Sequence, residues 1–190
     1  MISLFLFILS SLCCVTVANL IHGDRVRVVD IIHSNISYIH TPYLSDVLVL
    51  IQTLGTAGVI DINTLNEVFL IMAIIQFLRS ICSVSTILPP LKDYHDKYRM
   101  GGLNGSGTEY IFSGHASYSA LATIYLYTRK IVPVLPLVLY NIISQFLIIA
   151  THNHYTVDII LAWIIVPLVY GNIQFCKSDE YCSSMLKQLL

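Results

Sequence analysis

Two short polar runs interrupt an otherwise oily chain, and each contains a histidine. The first is Phe112-Ser113-Gly114-His115. It opens an apolar stretch that reads as a helix. Ser113 suits the N-cap, Gly114 removes the side chain that would block a close approach, and the N–H groups of that terminus suit a phosphate. His115 then points into an anion site, where a bound phosphate keeps an imidazole protonated and able to give its proton to a departing oxygen. The second run is His154-Tyr155-Thr156-Val157-Asp158. Spacing of i and i+4 at a helix start places His154 and Asp158 on one face. A carboxylate bonded to one ring nitrogen fixes the tautomer and leaves the other nitrogen free to attack. Either histidine alone reads as a solvated interfacial residue, whereas the pair reads as a nucleophile with its orienter and an acid for the leaving group. A metal could draw on His115, His152, His154 and Asp158, but no HExxH or carboxylate pair accompanies them, so the expectation is no metal and no cofactor.

The elements that must position these groups follow from composition. The 190 residues are 56% hydrophobic and 11% charged, with a mean hydropathy of +0.75, against roughly 25% charged residues in a soluble domain. That excludes an ordinary soluble enzyme. Ten Lys and Arg against eleven Asp and Glu give a net charge of −1, so no basic surface exists to hold nucleic acid. Apolar stretches recur at 2–21, 43–60, 65–88, 112–127, 131–150 and 157–173. Backbone hydrogen bonds in lipid must be satisfied within each segment. The expected fold class is therefore all-α, a polytopic membrane bundle of about six transmembrane helices. It divides into a first helix and loop (1–41), a core that carries both histidine runs (42–173) and a C-terminal tail (174–190). Thr16-Val17-Ala18 offers a signal-cleavage pattern, but the segment before it has no Lys or Arg, so a retained helix is expected.

The connections add little chemistry. Gly102 and Gly107 bracket four residues in the manner of a phosphate-binding loop, but Thr108 stands where that motif needs lysine, which removes a nucleotide site. Cys13, Cys14, Cys82, Cys176 and Cys182 form no CxxC pair, so the expectation is unmodified thiols without a disulfide framework. Positive charges divide almost evenly between the two sides, while the sequons at Asn35 and Asn104 fall on the side of the histidines and favour a lumenal or exterior face. Arg79 lies within the third apolar span, where an unpaired cation costs about 2.5–3.5 kcal/mol. Its expected partner is Asp46 or Asp61, or else a bound head group.

The two histidine runs, 39 residues apart from histidine to histidine, resemble the PAP2-like lipid phosphatase and phosphotransferase superfamily, and specifically its sphingomyelin synthase branch. Arg79-Ser80-Ile81-Cys82, followed by Thr86 and Leu88-Pro89, is similar to that branch's arginine-containing third helix and its exit. Pro42-Tyr43-Leu44-Ser45-Asp46 more loosely resembles the Pro-Leu-Pro-Asp segment entering its second helix. The resemblance spans 42–172. It implies transfer of phosphocholine or phosphoethanolamine from a glycerophospholipid to ceramide, with diacylglycerol as product, in a Golgi, ER or plasma membrane. His154, oriented by Asp158, would be the nucleophile and His115 the acid and then the base. Ser113, Gly114, Tyr155, Arg79, Glu109 and Asp46 would surround the substrate.

The chain also departs from the pattern. The hydrolytic phosphatases carry a Lys-x6-Arg-Pro element, absent at Pro89-Pro90, and an arginine before the second histidine, absent from Phe146-Leu147-Ile148. A phosphate monoester dianion would lose its clamp, whereas a singly charged phosphodiester needs less, which favours head-group transfer. Gly107-Thr108-Glu109 replaces the synthases' Cys-Gly-Asp, keeping the acid one methylene longer. Transfer to diacylglycerol, a lipid phosphate phosphatase, a phospholipase C-like hydrolase and a transporter or scaffold are the alternatives. The sequence carries no signal for oligomeric state.

Overall fold

Each long apolar run closes its own backbone hydrogen bonds and becomes a helix. In the computed structural model, which describes residues 2–20, 30–41, 43–86 and 111–186, the elements are α1 (Ile2–Leu20), α2 (Ile31–Asn35), α3 (Tyr43–Ala57), α4 (Ile62–Ser85), α5 (Gly114–Thr128), α6 (Val134–Ala150), α7 (Thr156–Ser178) and α8 (Glu180–Leu186). Among the described residues there is no strand. The fold class is all-α. By length and composition α4 and α7 are able to cross a membrane, while Ile2–Thr16, α3 and α6 are shorter apolar helices.

Capping residues decide where the helices begin, and they move some expected boundaries. Asp61 accepts the N–H groups of Asn63 and Thr64, each at 3.0 Å, so α4 starts at Ile62, earlier than the apolar run alone places it. α7 runs on to Ser178, beyond the expected 173. Two short helices were not legible as spans: α2 within the first connection and α8 within the tail. The tail also corrects the cysteine expectation. Asp179 ends α7 and accepts the Cys182 N–H at 2.9 Å. That reversal brings the Cα atoms of Cys176 and Cys182 to 5.1 Å, and the two are joined as a disulfide.

Contacts between helix ends give the bundle two distinct poles. At one, Asp46 of α3 meets His115 of α5, Arg79 near the end of α4 meets Phe112, and the Ser113 N–H donates to the Asp158 carbonyl of α7. Thus α3, α5 and α7 begin where α4 and α6 end. At the other pole, Arg129 donates to the Thr64 hydroxyl at 2.7 Å, and the buried Glu67 carboxylate receives Gln174 and Lys177. α1 packs along α4, with Phe7 and Phe69 ring centroids 5.5 Å apart.

The bundle is apolar outside and polar within. Leu12, Leu50, Leu54, Leu135, Leu139, Ile142, Ile164 and Leu168 are exposed, whereas Gln52, Thr56, Gln76, Ser119 and Asn141 are buried. Their polar atoms meet across helices: Ser119 Oγ lies 2.7 Å from Gln52 Oε1 and 2.8 Å from Asn141 Oδ1. Thr123 Oγ1 accepts from Gln52 and Asn141, each at 2.8 Å. This arrangement suits lipid, where an outward amide has no partner and an inward one joins helices.

Candidate active site

The site is built where three helix N-termini converge. Ser113 caps α5, its hydroxyl accepting the Ala116 N–H at 3.1 Å. Gly114 and His115 occupy the first helical positions, whose N–H groups have no acceptor within the helix. α7 differs, because its first N–H, that of Thr156, donates to Asp30 Oδ2 at 2.7 Å. One terminus is thus answered by a protein carboxylate, while the other lies at His115 with its first donors outside the helix's own ladder.

His115 and His154 are brought together. His115 Nδ1 lies 3.4 Å from His154 Nε2, with ring centroids 5.5 Å apart. On its other side His115 Nε2 is 2.7 Å from Asp46 Oδ1. A proton therefore resides on Nε2, facing the carboxylate. If His115 is also protonated at Nδ1, that N–H points at the lone pair of His154 Nε2. His154 is nearly buried, while about a third of the His115 side chain is exposed.

Asp158 is placed differently from the sequence expectation. The i, i+4 argument needs both residues in one helix, but α7 starts at Thr156 and His154 precedes it. Asp158 instead turns back along its own helix, and Oδ2 accepts the Tyr155 N–H at 3.0 Å. Its Oδ1 is buried with no hydrogen-bond partner among the described residues, so the Asp158–His154 bond is not made in this arrangement. Asp46 is the carboxylate that touches a histidine, through His115.

Arg79 is likewise corrected. Its partner is neither Asp46 nor Asp61, the latter being at the start of α4 and the opposite pole. Nε donates to the Phe112 carbonyl at 2.8 Å and Nη1 to Gln76 Oε1 at 3.0 Å. Gln76 is steadied in turn by Tyr118, 3.3 Å away. The guanidinium lies against Gly114, where a Cβ would come within 3.0 Å of Nη1. Glycine thus lets the cation lie this close to the helix terminus, and among the described residues guanidinium donors remain beyond these two bonds. The Tyr155 ring is buried and stacks on His33, with centroids 6.0 Å apart. Its phenol is pushed above the usual range by burial and then by the charges of Asp158 and Asp30. Glu109 and the glycine-rich connection lie outside the described residues.

Several residues around the site lie outside both histidine motifs. Ser45 receives the Asn153 side-chain N–H at 2.6 Å, so adjacent residues of α3 reach the His115 ring and the turn that carries His154. His33 stacks on His152 at 4.6 Å. Burial holds the His33 imidazole below its usual range, and the nearby Asp30 only partly offsets this. Asp before Ile-Ile is an N-cap pattern that could have located Asp30, but not its contact 126 residues away. Among the described residues no three His, Cys, Asp or Glu converge as a metal site.

Residues 107–175 match the family described as PAP2 superfamily C-terminal. That stretch contains both histidines, Asp158, Ser113 and Gly114. It supports a membrane protein of the lipid phosphatase and phosphotransferase type, acting on phosphate groups. No curated protein matches the chain.

Proposed function

We propose that this chain is a multi-pass membrane phosphotransferase that moves phosphocholine or phosphoethanolamine from a glycerophospholipid to ceramide, in the manner of sphingomyelin synthases. The observation that carries the reading is the close approach of His115 Nδ1 and His154 Nε2 at the N-terminus of α5. His154 Nε2 attacks phosphorus, the bond from phosphorus to the diacylglycerol oxygen breaks, and His115 gives that oxygen its proton. His115 then takes the ceramide hydroxyl proton, the ceramide oxygen attacks phosphorus, and the N–P bond returns its electrons to His154. Asp158 Oδ1 is the acceptor proposed for His154 Nδ1–H in the reacting state. Reacting atoms approach to about 3–3.5 Å before bonding, so the two nitrogens must part to admit the phosphoryl group. The α5 N-terminus and Arg79 stabilise its oxygens. Among the described residues one guanidinium lies near the terminus, which matches a singly charged phosphodiester better than a dianionic monoester.

Six crossings follow in this reading, with the histidine pole at the lumenal or exterior face of a Golgi, ER or plasma membrane. The exposed sequon residue Asn35 is at that pole. The test is purified protein with fluorescent ceramide and defined phospholipid donors, with products identified by mass. A ceramide-linked head group and equimolar diacylglycerol are expected. Free phosphocholine despite ceramide, head-group transfer to diacylglycerol, or inorganic phosphate released from phosphatidic acid would each replace the assignment.

Gly114→Ala gives a second check. The added methyl pushes the Arg79 guanidinium back by a few tenths of an ångström, so the KM for donor should rise severalfold, toward the roughly tenfold loss of one weakened charged contact. Stability should hold or rise, because alanine exceeds glycine in helix propensity by about 1 kcal/mol. Parallel donor titration and thermal melting in detergent separate the two effects. An unchanged KM would remove Arg79 from the head-group site.

A further inference from the structure

The turn that carries His154 is held by a segment far from it in sequence and outside the family match. Asp30 Oδ2 accepts the Thr156 N–H at 2.7 Å, and Oδ1 accepts the Thr156 hydroxyl at 3.0 Å. The same Oδ1 caps α2, taking the N–H groups of Ile32 at 3.0 Å and His33 at 3.2 Å. Around that carboxylate the segment 30–39 grips the turn at further points. The His33 and His152 rings stack within 9° of parallel, and the Ile39 N–H donates to the Ala150 carbonyl at 2.9 Å. Residues 150, 152 and 156 are thus held on both sides of His154. Burial alone would raise the Asp30 carboxyl, but the hydrogen bonds from Thr156 and the His33 backbone outweigh it and keep it ionised.

We propose that Asp30 is a positioning residue for His154, aiming the nucleophilic Nε2 by anchoring the first residue of α7 and the turn before it. The proposal rests on the phosphohistidine reading above for its kinetic consequence. It does not need Asp30 to touch the lipid. A displacement of about 1 Å in an attacking group costs on the order of 100-fold in rate. A loosened anchor should therefore lower the rate of attack and leave lipid binding nearly intact.

The experiment compares the full-length protein with Asp30→Ala and Asp30→Asn in detergent or nanodiscs, with His154→Gln as control. Three readouts are used: steady-state transfer, the rate of phosphate labelling of His154 without acceptor, and the ring resonances of 15N-labelled His154. For Asp30→Ala, kcat and the labelling rate should fall about 30- to 100-fold, KM should stay within about threefold, and the His154 resonances should move. Asn keeps one acceptor oxygen and should recover a clear part of the rate. A kcat within about threefold of the parent overturns the proposal. So does a loss in both variants that merely tracks loss of folded protein. If the parent itself performs no transfer, the function reading fails separately, and the resonances then decide. Moved His154 signals in folded Asp30→Ala sustain the anchoring, and unmoved signals end it.

Discussion

His154→Gln is expected to reduce head-group transfer by about 10⁴-fold or more, because removal of a covalent nucleophile leaves only binding and electrostatic stabilisation. Glutamine is close in size to histidine and retains polar atoms, so it suits the nearly buried position of His154. The variant should insert and melt like the parent. The acid-labile phosphocholine label expected on a histidine nucleophile should disappear with the activity. A variant that keeps a tenth of the parent rate would show that another group attacks phosphorus. The result bears directly on Asp158 as well. Its free Oδ1 and its bond to the Tyr155 N–H make Asp158→Asn a test of orientation, with a smaller loss than His154→Gln and retention of the label at reduced rate.

The second large effect belongs to His115. His115→Gln is expected to lower kcat by about 10²- to 10⁴-fold with natural donors, the range for loss of a general acid. The discriminating substrate is one whose leaving oxygen needs no proton. With 4-nitrophenylphosphocholine as donor, the defect in the first step should shrink to about tenfold or less, because the phenolate departs unaided. Release of nitrophenol in a rapid burst measures that step. Asp46→Asn should act in the same direction but more weakly, since Asp46 Oδ1 faces His115 Nε2 and the amide holds that ring by a weaker, uncharged hydrogen bond. An equal loss with both donors would mean that His115 binds phosphate without protonating the leaving group.

The family-like motifs were legible because they are local. Ser113 and Gly114 sit directly before His115, and a capping serine followed by glycine has one efficient use at a helix start. The apolar spans were legible for a similar reason, since lipid compels each to fold on itself. The partner of each charged side chain was not legible. Arg79 was expected to meet Asp46, Asp61 or a bound head group, and its protein partners are instead the Phe112 carbonyl and Gln76. A guanidinium is satisfied by any fan of acceptors, and sequence does not say which backbone will pass nearby. Asp158 was expected to face His154 because helical spacing was applied through a residue that lies before the helix. A boundary that differs by two residues changes the face completely, and a tertiary carboxylate, Asp30, occupies that boundary.

Composition and spacing alone determined that this is a helical membrane protein with two histidine runs suited to phosphate chemistry. Both properties follow from short-range physics, the cost of unpaired backbone in lipid and the donors exposed at a helix start. The tertiary structure alone decided that Asp46 serves His115, that Asp30 anchors the start of α7, and that Gln52, Ser119 and Asn141 join three helices at the core. Those pairings depend on how helices are rotated and stacked. Many rotations bury equal apolar area, and only the three-dimensional packing selects the one in which the inward polar groups find each other.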